Sequence, residues 1–450
     1  MKKLLIAFLC FYISLYINAN SYYSNSSNNE HRRVIVTTDL GGTDPDDEES
    51  MVHLLFMAND VDIEGLICQM AFVKSTIGIK PLRKIIDSYK EALPTLRIHD
   101  KNYPSASYLH SIATTGQTEV GMKGVGEGCD TPGSELIIKA VDKKDSRPVW
   151  LTAWGGMNTI AQALWKVSHT RTSKELALFI SKIRIYDILG QCDAGAWIAH
   201  TFPDIIYIRN RDVYGWGPSD EWISKNVQAF SPLGKVYPSR VWAPEGDSPA
   251  FMYLVDNGLN MPEQLDAGGW GGRFETTRIA GQRGMDWVQK NQLDETQYDP
   301  YYMFSNTPEG GASITRWKEQ ILNDFAARVQ WSVTKEYSKA NHHPNICMAN
   351  ENKHSRKIIF KDAKPGSRIK LNASSSNDPD GNKLSWNYYF YKEPSHYKGD
   401  VIINNSDSSE CIVNIPSDAE GKRLHVILEV KDDGNPQLTS YRRIVINVTK

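Results

Sequence analysis

The sequence has few cysteines, no long apolar run beyond its first residues and no excess of basic side chains. Its six cysteines are widely spaced and form no CxxC pair, so they predict neither a disulfide framework nor a zinc site. No later segment reaches the roughly 20 consecutive apolar residues of a transmembrane helix. A formal net charge of -2 disfavours binding to the phosphate backbone of a nucleic acid polymer. These absences favour a globular protein with a small-molecule or neutral partner.

The first residues have the physical pattern of a secretory signal peptide. Met1-Lys2-Lys3 supplies positive charge, and a short apolar run follows from Leu4 to Ile17. We therefore predict that residues 1–20 are a signal peptide and that the mature chain is exported to the periplasm or the cell exterior. Cys10 belongs to this segment. Most of the remaining cysteines are expected to be small core residues: Cys68, Cys129, Cys192, Cys347 and Cys411.

From residue 34 to about residue 333 the sequence alternates strand-like and helix-like stretches. The predicted strands are Val34–Thr38, Ile63–Cys68, Val149–Ala153, Ile183–Ile188 and Ile205–Ile208. Val- and Ile-rich runs of this kind are typical of strands buried on both faces. The alternation with helical segments predicts an α/β domain with an open, mostly parallel sheet over residues 31–335.

The composition changes after residue 335. Residues 336–355 are rich in Asn, His, Ser and Lys, which predicts an exposed linker. Short alternating runs then recur through residues 356–450, separated by polar turns, and predict a small all-β, immunoglobulin-like sandwich. Strands flank the sequence Asp-Pro-Asp-Gly-Asn at residues 378–382, so we interpret it as a turn rather than as a calcium-binding loop between two helices.

Six acidic side chains lie between residues 39 and 49, directly after the first predicted strand, with no Lys or Arg among them. Asp39 falls at the strand end, where ligands of open α/β sheets bind. Asp46 and Asp47 open the next helix and face its partial positive charge. Several converging carboxylates favour a hard cation, Ca²⁺ before Mg²⁺. The alternative is that Asp46 and Asp47 only cap the helix, but a cap needs a single short acidic residue.

The segment Thr38-Asp39-Leu40-Gly41-Gly42-Thr43-Asp44-Pro45-Asp46-Asp47 resembles the calcium-binding signature of nucleoside hydrolases. It is most similar to a branch of secreted nucleoside-hydrolase-like proteins that carry a C-terminal Ig-like domain and include a cellulose-binding protein. The resemblance implies that Asp39, Asp46 and Asp47 are calcium ligands. The turn between the first ligand and the Asp pair is longer here than in the family pattern.

Two later segments resemble those that complete the calcium shell in this family. Residues 154–161, Trp-Gly-Gly-Met-Asn-Thr-Ile-Ala, resemble a turn that supplies a backbone carbonyl, which implies Asn158. Residues 245–250, Glu-Gly-Asp-Ser-Pro-Ala, resemble the segment with the last Asp ligand, which implies Asp247 and places Glu245 beside the substrate. The residue before that Asp is often a His that helps the leaving base depart. Here it is Gly246.

The expected substrate contacts come from two further segments. The sugar-binding residues of the family would fall near residues 190–197, which implies Gln191 and Asp193. The Gly-rich segment at residues 267–275 has two interpretations. It is either a loop that brings Trp270 and Arg273 over a sugar, or a structural turn with Trp270 in the core.

Two functions of different classes follow. The resemblance implies an exported, calcium-dependent hydrolase that cleaves an N- or O-glycosidic bond of a nucleoside-like or plant-carbohydrate substrate by metal-activated water, with Asp39 as both ligand and general base. The alternative is a non-catalytic binding protein for a cellulose-type polysaccharide, in which the pocket clamps a sugar diol. The acidic cluster favours the first function, whereas Gly246 and the additional β-domain favour the second.

Overall fold

The structure, a computed structural model, describes residues 31–42, 44–71, 77–285, 294–349, 351 and 354–450. The predicted signal peptide, residues 1–20, lies outside these ranges. Within them, no helix is both long and apolar enough to cross a membrane. The described cysteines are free, as predicted, and all are buried except the half-buried Cys129.

A six-stranded parallel sheet forms the centre of the first region. Its strands are β1 (Arg33–Thr38), β2 (Asp62–Cys68), β3 (Ala113–Thr115), β4 (Val149–Ala153), β5 (Ile183–Ile188) and β6 (Ile206–Asn210). They are ordered β3-β2-β1-β4-β5-β6, and every neighbouring pair is parallel. A short antiparallel pair follows, β7 (Ile279–Ala280) and β8 (Tyr302–Met303). The predicted open, mostly parallel sheet is confirmed.

Helices surround this sheet. They are α1 (Asp46–Phe56), α2 (Ile79–His99), α3 (Ala106–Ile112), α4 (Pro132–Asp142), α5 (Asn158–Thr170), α6 (Ser173–Ser181), α7 (Ala194–Thr201), α8 (Asp220–Ile223), α9 (Pro232–Lys235), α10 (Ser248–Met252), α11 (Ala312–Thr315) and α12 (Lys318–Trp331). Side chains of β1 alternate between two cores: Val34 and Val36 enter one, and Ile35 enters the other. Both faces of the strand are therefore buried, as its β-branched composition predicts.

The second region is the predicted sandwich. Its strands are β9 (Ile359–Ala363), β10 (Arg368–Asn372), β11 (Ser385–Phe390), β12 (Ile403–Asn404), β13 (Glu410–Asn414), β14 (Arg423–Lys431) and β15 (Thr439–Val448). They form one sheet in the order β10-β13-β12 and another in the order β11-β14-β15-β9. Residues of both sheets, such as Val413 and Val426, share one apolar core. The all-β architecture is confirmed.

The connection between the two regions is packed in part. Asn341 and His342 are buried. The Asn341 carbonyl accepts a hydrogen bond from Trp331 Nε1 at 2.8 Å, and its amide donates to Asp432 Oδ2 at 2.9 Å. The exposed character predicted for residues 336–355 is therefore wrong at these positions. Polar composition indicates exposure only when the side chains find no internal partners, and here both regions supply them.

Arg443 joins the sandwich to the first region. Its buried guanidinium donates to the carbonyls of Leu259, Ala267 and Gly268 at 2.8, 2.9 and 2.7 Å. Beside it, the rings of Trp270 and Tyr441 meet edge to face with centroids 6.2 Å apart. The two regions thus share part of a core.

We expect Arg443→Met to lower the free energy of unfolding by about 3 kcal/mol, because three buried carbonyls lose their donor. Urea denaturation of the full mature chain measures this change. Arg368→Met, an exposed arginine of β10, is the matched control and should leave stability within about 0.5 kcal/mol of wild type. Equal stability of the two variants would show that Arg443 does not hold the regions together.

Candidate functional site

The acidic motif lies at the carboxyl end of β1, where the strand order reverses. The chain runs outward from β1 to β3 and then returns to the other side of β1 as β4. In open α/β sheets, the crevice at such a switch point is the usual ligand site. Asp39 follows β1 and Gly155 follows β4. A Cβ atom at Gly155 would lie 2.4 Å from Asp39 Oδ1, so glycine at this position makes room for the carboxylate.

Three further carboxylates converge beside Asp39. Asp46, Asp47 and Asp247 each offer an oxygen, and these oxygens lie within 4.8 Å of one another. Asp46 and Asp47 belong to the first turn of α1, while Asp247 immediately precedes α10. The fold therefore brings together four acidic residues that the sequence predicted as ligands.

Burial and mutual repulsion raise the pKa of these carboxyl groups. Burial, with a smaller contribution from the charge of Asp46, raises the pKa of Asp39 to about 7. Burial is also the first cause that raises the pKa values of Asp46, Asp47 and Asp247 well above the ordinary range, and the neighbouring carboxylates add to it. Four such groups do not all ionise without a compensating charge. The arrangement requires bound protons or a cation.

The local contacts fit a cation better than a helix cap. Pro45 is the N-cap of helix α1 and makes no side-chain cap, while the backbone N–H groups of Asp46 and Asp47 donate to the Asp46 carboxylate, so Asp46 contacts both the helix N-terminus and the cluster. The Thr38 hydroxyl donates to Asp47 Oδ1. Asp247 Oδ2 is buried and has no hydrogen-bond partner within the described part of the chain. Ca²⁺ prefers oxygen ligands, and the cluster supplies carboxylate oxygens, of which Asp247 Oδ2 is buried without a hydrogen-bond partner among the described residues. The site therefore suits Ca²⁺.

Asn158 lies at the start of α5, just after the glycine turn that borders Asp39. Its side-chain amide donates to the carbonyls of Met70 and Glu119 at 2.8 and 2.7 Å. These bonds hold two loops against α5 at the carboxyl edge of the sheet. Ligation of calcium by the Asn158 carbonyl stays a prediction.

Gln191 and Asp193 follow β5 on the same edge. Gln191 Nε2 donates to the Trp154 carbonyl at 2.6 Å, and Asp193 Oδ1 accepts from the Met122 N–H at 3.0 Å. Both side chains are buried and engaged in protein contacts. Their contact with a sugar stays a prediction.

Glu245 is the centre of a buried network of hydrogen bonds. Its Oε2 lies 2.6 Å from His53 Nδ1 and accepts from the Ser248 hydroxyl at 2.7 Å, while Oε1 accepts from the Tyr237 hydroxyl at 2.7 Å. Both oxygens are used in this network and the side chain is fully buried. Contact of Glu245 with substrate stays a prediction. Glu245 has a φ of 46°, which is rare for a residue other than glycine, and it shapes the turn that presents Asp247.

Trp270 and Arg273 lie at the contact with the sandwich. Trp270 is only 2% exposed, and Arg273 Nε donates to Glu309 Oε2 at 2.5 Å. Trp270 thus lies in the core, as the second interpretation of the segment expects, while a sugar contact of Arg273 stays a prediction. The sequence of the segment did not reveal that the sandwich covers it.

Two exposed aromatic residues, Tyr214 and Trp242, border the cluster. A Cβ atom at Gly246 would lie 3.0 Å from Asp46 Oδ2 and 3.1 Å from Tyr214 Cε1. The backbone N–H of Trp242 donates to the Asp44 carboxylate. This hydrogen bond opposes the rise that burial causes in the pKa of Asp44. Tyr214 is 41% exposed and Trp242 is 66% exposed. Tyr214 belongs to the Gly-rich segment Tyr-Gly-Trp-Gly-Pro at residues 214–218, whereas Trp242 belongs to no motif, and only the folded arrangement identifies it.

Comparisons with known proteins give matches over both regions. The family profile described as cellulose-binding Sde182, nucleoside hydrolase-like domain, matches residues 33–274. A second profile, described as cellulose-binding protein Sde0182, C-terminal domain, matches residues 368–448. Among curated proteins, no significant match is found.

One solved structure resembles nearly the whole chain. It is a nucleoside hydrolase-related hypothetical protein from Saccharophagus degradans that is associated with carbohydrate metabolism. It is 46% identical, covers 93% of this chain and 100% of its own, and has a TM-score of 0.88. The PKD domain from KIAA 1837 protein is 20% identical over 21% of this chain and 82% of its own, with a TM-score of 0.16 that supports no argument. Since the first profile spans more than half of the 450 residues, the chain belongs to the Sde182 family of cellulose-binding, nucleoside-hydrolase-like proteins.

Proposed function

We propose that this protein is an exported, calcium-dependent hydrolase that cleaves the N- or O-glycosidic bond of a nucleoside-like or plant-carbohydrate substrate. The observation that carries the proposal is the convergence of Asp46, Asp47 and Asp247 beside Asp39 at the switch point of the sheet. The family description as cellulose-binding supports a carbohydrate partner. Export rests on the signal-peptide pattern of residues 1–20.

Calcium is the cation that the donor set favours. Asp39, Asp46, Asp47 and Asp247 would hold it, with the carbonyl of Asn158 as the further predicted ligand. Among the described residues, the main causes of the pKa shifts of these four carboxyl groups include other carboxylates and no Lys or Arg. When bound, calcium acts as a Lewis acid that orients sugar hydroxyls and lowers the free-energy cost of deprotonating water.

The carboxylates of the chain then take different roles. An oxygen of Asp39 would accept the proton of the attacking water, which makes this carboxylate the general base. Attack at the anomeric carbon passes through an oxocarbenium-like state, whose positive charge the neighbouring carboxylates stabilise. Gly246 offers no acid to a departing base. Leaving groups that need protonation from that position are therefore disfavoured.

Non-catalytic carbohydrate binding is the second candidate function. Gly246 replaces the leaving-group acid of nucleoside hydrolases, and the family is described by its binding of cellulose. In this case the acidic pocket holds a sugar diol without turnover.

A substrate panel separates the two candidates. Nucleosides, aryl glycosides and plant oligosaccharides are incubated with the mature protein in calcium and in chelator. Sugar release that stops in chelator supports the hydrolase. Oligosaccharide binding with no turnover of any substrate supports the clamp and contradicts the hydrolase.

We expect the purified mature protein to hold about one calcium ion per chain, and Asp46→Asn or Asp247→Asn to lose it, since each substitution removes a charged ligand. Elemental analysis after dialysis measures the content. Asp220→Asn, an exposed carboxylate of α8, is the control and should keep the ion. Full calcium content in both cluster variants would remove the basis of the site.

The stabilisation by calcium should grow with pH. Asp39 binds its proton more tightly in the folded chain, where its pKa is about 7, than in the unfolded chain, where an aspartate has a pKa of about 3.9. Without calcium, this contribution to stability is complete below about pH 3.9 and is lost as the pH rises to about 7. Bound calcium would supply the positive charge that the carboxyl groups lose when their protons dissociate. Thermal unfolding in calcium and in chelator at pH 5 and pH 8 should therefore show a larger difference in Tm at pH 8, and an equal or smaller difference there would contradict this coupling.

Asp39→Asn keeps the size of the side chain and one acceptor oxygen but removes the base. For a substrate that the panel identifies, kcat should fall by roughly 10²- to 10⁴-fold while much of the sugar affinity remains. Steady-state kinetics and ligand binding are measured on protein whose calcium content is verified. Unchanged kcat in the calcium-loaded variant would show that another group is the base.

A further inference from the structure

Trp242 and Tyr214 lie on two loops that pack together at the acidic cluster. A Cβ atom at Gly217 would lie 2.8 Å from Pro244 Cγ, so the loops that carry the two aromatic residues are in close contact. A cleft of about 290 Å³ opens beside them, lined by Glu49, Pro218, Asp220, Tyr237, Arg240 and Pro244. The loops that carry the two exposed rings therefore contribute Pro218, Arg240 and Pro244 to a concave, polar surface.

The chemistry of this surface suits a neutral sugar polymer. A pyranose ring has apolar faces of C–H groups and a rim of hydroxyls, so it can stack on an aromatic ring while the hydroxyls bond to polar groups. Exposed apolar side chains that adjoin a polar cleft commonly mark a binding site. Arg240 Nη2 lies 3.0 Å from Asp220 Oδ2, so the charges of these two lining residues compensate each other and do not favour a charged polymer. The occupant that fits is an uncharged chain of sugars.

The sandwich lacks a comparable surface within its described residues. Its one large hydrophobic side chain of high exposure is Ile402, at 66%, and this residue is not aromatic. The exposed tryptophan lies instead in the first region, next to the cluster. The placement of the exposed aromatic residues therefore favours the first region over the sandwich as the binding site of a cellulose-type chain.

We propose that Trp242 and Tyr214 form the contact surface for the ring faces of an uncharged, cellulose-type polysaccharide, which lies across the entrance to the acidic cluster. This inference rests on the carbohydrate association in the proposed function and adds where the chain binds. It does not depend on turnover.

The test measures binding of the full mature chain to insoluble cellulose and to soluble cello-oligosaccharides. Trp242→Ala and Tyr214→Ala should each weaken binding, the tryptophan variant by about tenfold, because stacked apolar area is lost. Trp242→Phe keeps an aromatic face and should retain most of the affinity. Ile402→Ala is the control of equal exposure and should bind as wild type. Unchanged thermal unfolding confirms that the variants are folded.

The outcomes separate this inference from the proposed function. Cellulose binding by wild type that persists in Trp242→Ala and Tyr214→Ala overturns the contact surface but leaves carbohydrate association intact. Loss of binding in Ile402→Ala places the contact on the sandwich and also overturns it. No binding of any carbohydrate by wild type contradicts the proposed function itself. A Trp242-dependent affinity for nucleosides without affinity for cello-oligosaccharides overturns the polymer assignment.

Discussion

The repulsion among the buried carboxylates at the end of β1 is the constraint that organises the site. Burial raises the pKa of Asp39 to about 7, and Asp46, Asp47 and Asp247 are shifted in the same direction. The N-terminus of α1 supplies only a partial positive charge. Since the fold keeps these groups together at a cost in free energy, the cluster has the character of a binding site rather than of a structural ion pair.

A second layer of residues sets where Asp247 lies. Glu245 is held by His53, Tyr237 and Ser248, and its left-handed backbone turns the chain into α10. The same turn follows the loop of Trp242. A single anchored segment therefore presents a cluster carboxylate on one side and an exposed aromatic ring on the other, which couples the geometry of the metal site to that of the outer surface.

Sequence patterns predicted the helices and strands whose formation depends on residues close together in the chain. The β-branched run predicted Val34–Thr38, and the observed strand begins one residue earlier. The approach of Asp247 to Asp46 came from the family resemblance, because no spacing in the sequence reveals it. The sequence did not decide whether Trp270 is exposed or buried, since the Gly-rich segment suits both a flexible loop and a core turn. The contact with Tyr441 of the sandwich shows that it is buried. Patterns among neighbouring residues do not reveal contacts between residues that are far apart in the sequence.

The shared core gives the sandwich a structural part in the site. Arg443 binds the carbonyls of Leu259 and Gly268, and Asn260 between them donates to the Met252 carbonyl at the end of α10. Helix α10 begins directly after Asp247. A continuous set of hydrogen bonds and backbone thus runs from β15 to the acidic cluster. Because the sandwich braces the segment behind the site, its presence in a cellulose-binding family does not require that it contact the polysaccharide itself.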